Sequence, residues 1–116
     1  MKLRIKGNDI RYRLTKTDVE EFAAKGTVKE VINFAGQPLL YVLQETSDEK
    51  LSVLYKNNTI TLFMPVDLKN EWTHSDKVGY RDTHGDLNLL IEKDFKCLDD
   101  VEEDQSDNYP NPLAKK

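Results

Sequence analysis

The chain has one cysteine, four prolines, five glycines and no long apolar run. The lone Cys97 cannot form an internal disulfide, which fits a reducing compartment and predicts a cytoplasmic protein. The longest apolar run, Leu39 to Leu43, is far shorter than the ~20 residues of a membrane-spanning helix, so we expect no membrane partner. The glycines form neither a phosphate-binding loop nor a nucleophile elbow, and the acidic residues lack calcium-loop spacing. No motif assigns a catalytic activity, which favours a non-enzymatic protein and leaves catalysis open.

Negative charge is concentrated near the C-terminus. Six acids and no base occur from Asp99 to Asp107, whereas the formal net charge of the whole chain is −4. Without residues 99–116 the chain has as many acidic as basic residues. We therefore predict a single domain over residues 1–98, followed by an acidic, proline-containing tail over residues 99–116. The overall acidity argues against broad affinity for nucleic acid.

The first fourteen residues predict a β-hairpin with cations on one face. Two alternating strands flank Gly7-Asn8, and glycine in the first position suits a type II′ turn. That turn sets a register in which Lys2 lies opposite Arg13, Arg4 opposite Arg11 and Lys6 opposite Asp9. Like charges across a strand pair are destabilising, so this face needs anions from elsewhere. The candidate anion-binding residues are Lys2, Arg4, Lys6, Arg11 and Arg13.

Two short helices are predicted along the chain. The pattern Thr17-Asp18-Val19-Glu20 has capping-box spacing and predicts a helix from about Asp18 to Lys25, with Gly26 placed to end it. A second helical segment is predicted over Val66 to Trp72, directly after Pro65.

The other segments predict strands and hairpins. Asn57-Asn58 suits a type I′ turn, which places Tyr55 opposite Ile60 and Val53 opposite Leu62. The predicted strands are Met1–Lys6, Asp9–Leu14, Thr27–Phe34, Leu39–Glu45, Leu51–Tyr55, Ile60–Met64, Val78–Asp82 and Leu87–Lys93. We detect no internal repeat. This pattern is typical of an α+β fold: a curled antiparallel sheet or incomplete β-barrel of seven or eight strands with one or two short helices.

The two ends of the chain carry a family resemblance. The front segment, residues 2–14, reads KLRIKGNDIRYRL, and the back segment reads EKDFKCL at residues 92–98, with YPNP at residues 109–112. Together they resemble a family of small uncharacterised bacterial proteins known only as a domain of unknown function. The resemblance covers the whole chain and is looser in the middle. It implies a bacterial single-domain protein, and it brings no activity, cofactor or catalytic residue.

The histidines and the cysteine are the remaining candidates for chemistry. His84 lies between Asp82 and Asp86, residue types that bind divalent metals, but a turn expected at Gly85 interrupts their alternation. Cys97 lies among acids, which disfavour the thiolate form that a nucleophile requires. We therefore expect no metal site, including at His74, and no cofactor or catalytic residue.

Three functions remain open. The preferred one is a small binding or interaction module whose basic hairpin face binds an anionic small molecule or an acidic protein segment, the chain's own tail included. The alternative is an enzyme acting on a phosphorylated small molecule, in which Arg4, Arg11 and Arg13 hold the phosphate and Glu92 or Asp94 exchanges protons. The third is a structural protein whose cations are solvated or paired with acids of a neighbouring strand, since exposed ion pairs contribute only ~0–1 kcal/mol each.

Overall fold

A computed structural model describes residues 1–95. Within them lie eight strands and two short helices, which confirms the predicted α+β fold. The elements are β1 (Lys2–Lys6), β2 (Asp9–Leu14), α1 (Lys16–Lys25), β3 (Thr27–Phe34), β4 (Gln37–Thr46), β5 (Ser52–Lys56), β6 (Thr59–Pro65), α2 (Val66–Thr73), β7 (Gly79–His84) and β8 (Leu87–Lys93). Cys97 and the predicted acidic tail, residues 99–116, lie outside the described residues.

The strands form two four-stranded sheets. The first sheet has the order β1-β2-β8-β7, and the second sheet has the order β3-β4-β6-β5. Each sheet consists of two antiparallel hairpins joined by a parallel pair of inner strands, β2 with β8 and β4 with β6. The eight described strands close no barrel. The sequence predicted the hairpins, but neither the division into two sheets nor the parallel pairs.

Local turn chemistry explains why two hairpins have the predicted register. Gly7 has a φ of 57°, and Asn57 and Asn58 have φ of 54° and 59°, the left-handed values that type II′ and type I′ turns require at these positions. The β1–β2 pairing follows the predicted register along its whole length. The β5–β6 pairing likewise places Tyr55 opposite Ile60 and Val53 opposite Leu62.

The N-cap of helix α1 lies two residues before the predicted cap. The N-cap is Thr15, whose Oγ1 accepts a hydrogen bond from the Asp18 amide, while the Asp18 carboxylate accepts one from the Thr15 amide. The predicted cap at Thr17 with Glu20 was therefore wrong. Since β2 ends at the buried Leu14, the first residue free to cap is Thr15, and Asp18 completes the box with it. The predicted end of the helix is confirmed, because Gly26 has a left-handed φ of 76° and its amide donates to the Phe22 carbonyl.

The core lies between the sheets and is closed at one end by the helices. Tyr12 and Tyr41 meet edge to face, with 5.9 Å between ring centroids, and the Tyr12 hydroxyl donates to the Ile60 carbonyl of the opposite sheet. At the helical end, Phe22 of α1 and Trp72 of α2 are fully buried against each other. Burying an aromatic side chain contributes roughly 1.5–3 kcal/mol, so these contacts hold the helices across the end of the sandwich.

The fold contains an internal repeat, which corrects the sequence analysis. Each half of the chain has the order hairpin, helix, hairpin, and equivalent elements are 50 positions apart, as the starts of β1 and β5 show at Lys2 and Ser52. Each half places its first hairpin in one sheet and its second hairpin in the other. If each strand is replaced by its equivalent in the other half, the first sheet becomes the second sheet and its order of strands is kept. The topology therefore has two-fold symmetry. The contact between Phe22 and Trp72 joins two equivalent residues.

Candidate anion-binding face

The five predicted cations lie on the outer face of the first sheet, opposite the core. On β2, the buried residues Ile10, Tyr12 and Leu14 alternate with Arg11 and Arg13, which point the other way. Strand β8 separates β2 from β7, and its Leu90 is paired with Arg11 on one side and Arg81 on the other. We call this surface the cationic face, with Lys2, Arg4, Lys6, Arg11, Arg13 and Arg81 as its basic residues.

Acidic residues at the end of β8 neutralise part of the cationic face. The Glu92 carboxylate lies between two arginines, with its Oε1 3.5 Å from Arg13 Nε and 3.7 Å from Arg11 Nε. The Lys2 ammonium is 2.8 Å from Asp94 Oδ2. The predicted need for anions from outside the hairpin is thus met in part by β8, and both proposed proton-exchange residues of the enzyme alternative are counter-ions.

A depression of about 390 Å³ lies on the cationic face, away from Glu92. It is lined by Arg4, Lys6, Asp9, Ile10, Arg11, Arg81, Asn88, Leu89 and Leu90. Of these, Asp9 alone is acidic, and its Oδ1 accepts a hydrogen bond of 2.7 Å from the side-chain Nδ2 of Asn88. Guanidinium groups present paired N–H donors that match phosphate or carboxylate oxygens. The depression therefore has the chemistry of a site for a small anion.

Sequence reasoning missed Arg81 as a member of this face. Its strand was predicted, but only as half of a separate hairpin with β8. Arg81 reaches the hairpin arginines because β8 pairs in parallel with β2, which joins residues 79 positions apart, such as Asp9 and Asn88. No local pattern encodes that pairing, so only the three-dimensional structure could add Arg81.

The Met1 amino group forms a second charged cluster, apart from the depression. It is 2.8 Å from Asp18 Oδ2 and 2.8 Å from Glu30 Oε2, which ties β1 to α1 and β3. Burial lowers the pKa of this ammonium, but the hydrogen bonds and charges of Asp18 and Glu30 outweigh burial and raise the pKa above 8.0. For Asp18, burial raises the pKa, yet its hydrogen bonds with the amino group and Thr15 bring it below 3.8.

The two histidines do not meet in the described part of the chain. His84 Nδ1 accepts a hydrogen bond of 2.9 Å from the Val53 amide, which links the sheets, and His74 Nδ1 lies 2.9 Å from the Asn70 carbonyl oxygen. Within residues 1–95, no three His, Cys, Asp or Glu side chains are grouped so as to hold a metal ion. The absence of a metal site stays a prediction for the whole chain.

Comparison with known proteins supplies a family and no activity. Residues 1–113 match the model of a family of unknown function, DUF7009. No curated protein and no solved structure matches the chain. Neither described helix is long and apolar enough to cross a membrane.

Proposed function

We propose an anion-binding role for this chain, which belongs to the family of unknown function DUF7009. The proposed ligand is a small molecule with a phosphate or clustered carboxylate groups, held in the depression of the cationic face. This makes the protein a binding module and assigns it no reaction. We further propose a bacterial cytoplasmic protein, for which the family resemblance and the single cysteine are the support.

One observation carries the proposal: arginines from three strands of the first sheet, β1, β2 and β7, line a single depression. Arg4 and Arg11 are paired across β1 and β2, and Arg81 approaches from β7 across Leu90. Cations directly opposite each other on paired strands destabilise a sheet. A bound anion would offset that repulsion. Because the arginines lie on paired strands, their backbone positions are fixed before binding, which lowers the entropic cost of binding.

The acidic tail is the proposed internal competitor for the same face. Strand β8 ends at Lys93 beside β2, and the Asp94 amide donates to the Leu14 carbonyl, so the chain leaves the first sheet next to its cations. The six residues from there to Asp99 can span about 20 Å. The six acids of residues 99–107 are thus within reach of the cationic face, and their docking there would make ligand binding competitive.

The enzyme alternative uses the same arginines and adds Glu92 or Asp94 as a proton-exchange residue. Glu92 is held between Arg11 and Arg13, and Asp94 pairs with Lys2, outside the depression in both cases. These contacts give both acids a structural role. We therefore keep binding as the proposed function and make turnover an outcome of the test.

Thermal unfolding with a panel of nucleotides, sugar phosphates and polycarboxylates tests the proposal. A ligand at 100 times its Kd should stabilise the protein by ~2.7 kcal/mol, and calorimetry then gives its affinity. Arg11→Ala and Arg81→Ala should each weaken binding at least tenfold. Arg4→Ala should do the same.

Arg81→Ala is the sharpest variant, because Arg81 makes no ion pair among the described residues. Lys56→Ala is the matched control: Lys56 is the repeat equivalent of Lys6, at the end of β5, and lies on the other sheet. Unchanged affinity in Arg81→Ala would place binding elsewhere. Conversion of a bound phosphate ester to product would favour the enzyme alternative.

A further inference from the structure

Uncharged residues of β8 divide the arginines of the depression into two groups. On one side are Arg4 and Arg11, which are paired across β1 and β2. On the other side is Arg81 of β7, and between the two sides β8 contributes Leu90 and Asn88. Neighbouring strands are about 4.8 Å apart, so the backbones of β2 and β7 at Arg11 and Arg81 are about 10 Å apart. A phosphate centred between Arg4 and Arg11 lies still further from β7, which leaves Arg81 to bind a second anionic group.

The charge of the depression also fits two anionic groups better than one. Its lining has one acidic side chain, Asp9, and four basic side chains, which are Arg4, Lys6, Arg11 and Arg81. The lining residues thus have three positive charges in excess, four minus one. A phosphate ester carries about −1.5 to −2 charges near neutral pH, so two phosphates offset this excess and a single phosphate leaves part of it.

The residues between the two arginine groups suit a hydroxylated chain. Asn88 Nδ2 donates to Asp9 Oδ1, which orients the Asn88 amide. The Asn88 side-chain oxygen and its second N–H have no other partner among residues 1–95, and both can bond to hydroxyl groups. Leu90 offers an apolar surface to the C–H groups of the same chain. The Asp9 carboxylate disfavours a third anionic group at this position, because like charges repel.

The internal repeat shows that the fold does not require the three arginines. At the positions equivalent to Arg4, Arg11 and Arg81, the other half of the chain has the uncharged residues Leu54, Thr61 and Val31. The same order of strands therefore forms without cations at these positions. Paired cations are also destabilising unless an anion lies between them, so the arginines add a binding surface at a cost to the sheet.

We propose that the ligand is a sugar bisphosphate, a hydroxylated chain with a phosphate at each end. This inference rests on the proposed function and names the class of ligand for the same depression. One phosphate binds Arg4 and Arg11, the other binds Arg81, and the sugar crosses β8 over Leu90 and Asn88. The volume of about 390 Å³ lies near the lower end for ligand pockets, which suits a single sugar better than a dinucleotide.

Calorimetry on the full chain with four probes tests the spacing of the two anionic groups. The probes are a hexose phosphorylated at both ends, the two corresponding hexose monophosphates, and inorganic diphosphate. We expect the hexose bisphosphate to bind at least tenfold more tightly than each of the others, because two linked anionic groups bind both arginine groups at once. The two phosphates of inorganic diphosphate share an oxygen atom and lie too close together to do so.

The variant Arg81→Ala isolates the contact with the second phosphate. In this variant the hexose bisphosphate should lose its tenfold advantage, whereas the affinity for the monophosphates, which bind at Arg4 and Arg11, should change little. Lys56→Ala is the control, since it removes the same charge from the other sheet and should keep the advantage. An equal loss in both variants would mean that net charge, and not a contact with Arg81, holds the second phosphate.

The variant Asn88→Leu tests the contact with the sugar. It should weaken binding of the hexose bisphosphate several-fold and leave the affinity for an alkane bisphosphonate of the same length unchanged, because that probe has no hydroxyl groups. An equal effect on both probes would contradict a bond between Asn88 and a sugar hydroxyl.

The outcomes separate this inference from the proposed function. Equal affinities for the hexose bisphosphate and the monophosphates, all weakened by Arg4→Ala, would overturn the inference and keep an anion-binding role. A nucleotide or polycarboxylate that binds while the hexose bisphosphate does not would do the same. If no anion of any class binds, the proposed function fails as well.

Discussion

Thr27 carries a buried polar group that its surroundings do not satisfy. Its Oγ1 has no hydrogen-bond partner among residues 1–95, although it is shielded from solvent. A buried hydroxyl without a partner costs roughly 1–3 kcal/mol, whereas valine has the same shape without the hydroxyl. We predict that Thr27→Val raises the free energy of unfolding by about 1 kcal/mol, measured by urea denaturation.

Thr27→Ser is the matched control for that variant. It keeps the hydroxyl and removes a methyl group, so it should lower the free energy of unfolding. If Thr27→Val is instead the less stable variant, the hydroxyl has a partner in the folded chain.

At the scale of elements, the Met1 cluster couples β1, α1 and β3 through charge. The raised pKa of the Met1 ammonium means that its stabilisation is fully present below pH 8.0 and is lost as pH rises through the raised value. The lowered pKa of Asp18 means that its stabilisation is present above pH 3.8 and is lost as pH falls through the lowered value. The cluster therefore acts most strongly between about pH 4 and pH 8.

Neutralising one partner should show this window directly. With the Met1 amino group free, Glu30→Gln should lower the free energy of unfolding by about 0.5–1 kcal/mol at pH 7. The loss should be smaller at an alkaline pH above the raised pKa of the Met1 ammonium, where the parent loses the ammonium charge. Glu20→Gln removes an exposed carboxylate on α1 and should have no such pH dependence. Equal losses at both pH values would show that Glu30 acts through packing and not through charge.

The helix cap illustrates what a local pattern can predict. Two overlapping boxes, one from Thr15 to Asp18 and one from Thr17 to Glu20, compete for the same helix start, and spacing alone does not distinguish them. The end of β2 determines which of the two boxes forms, because Leu14 is buried in the core and Thr15 is the first residue outside the strand. The C-terminal end of the helix could be predicted without knowing where β2 ends, because Gly26 alone favours the left-handed conformation found there.

For the whole molecule, the distribution of charge predicts an effect of the tail. Deleting Asp99 to Lys116 removes the net charge of −4 and leaves the cations of residues 1–16 in place. We expect the truncated chain to bind heparin more tightly than the full chain at low salt. The difference should shrink near physiological ionic strength, where the screening length is only ~8 Å.

Amide shifts of Lys2 to Arg13 provide the second measurement. They should change on truncation if the tail occupies the cationic face. Replacing the six acids of residues 99–107 by amides in the full-length chain is the control for length. If neither change moves those shifts, the tail does not contact the hairpin, and the anion site must be tested without it.

Local turn chemistry made the hairpins predictable. Their assembly into sheets was not predictable, because it pairs residues that are far apart in the sequence. Gly7 and the pair Asn57-Asn58 determine their registers within a few residues, so the placement of Arg4 and Arg11 on one face of the hairpin followed from sequence. The pairing of β2 with β8 depends on contacts between opposite ends of the chain. This pairing places Glu92 beside the hairpin arginines as a counter-ion and adds Arg81 to the cationic face as a candidate anion-binding residue. The internal repeat escaped detection because its halves share a pattern of burial but few identical residues.

The strand order also bears on how the chain folds as it leaves the ribosome. All four strands of the second sheet lie between Thr27 and Pro65, uninterrupted by strands of the other sheet, so this sheet can be completed while the C-terminal third is still being made. The first sheet is divided between the first and the last strands to be synthesised. Until β8 is made, the edge of β2 that pairs with β8 has no partner among the described strands, so this backbone edge is the part of the first sheet open to aggregation or to a chaperone during synthesis.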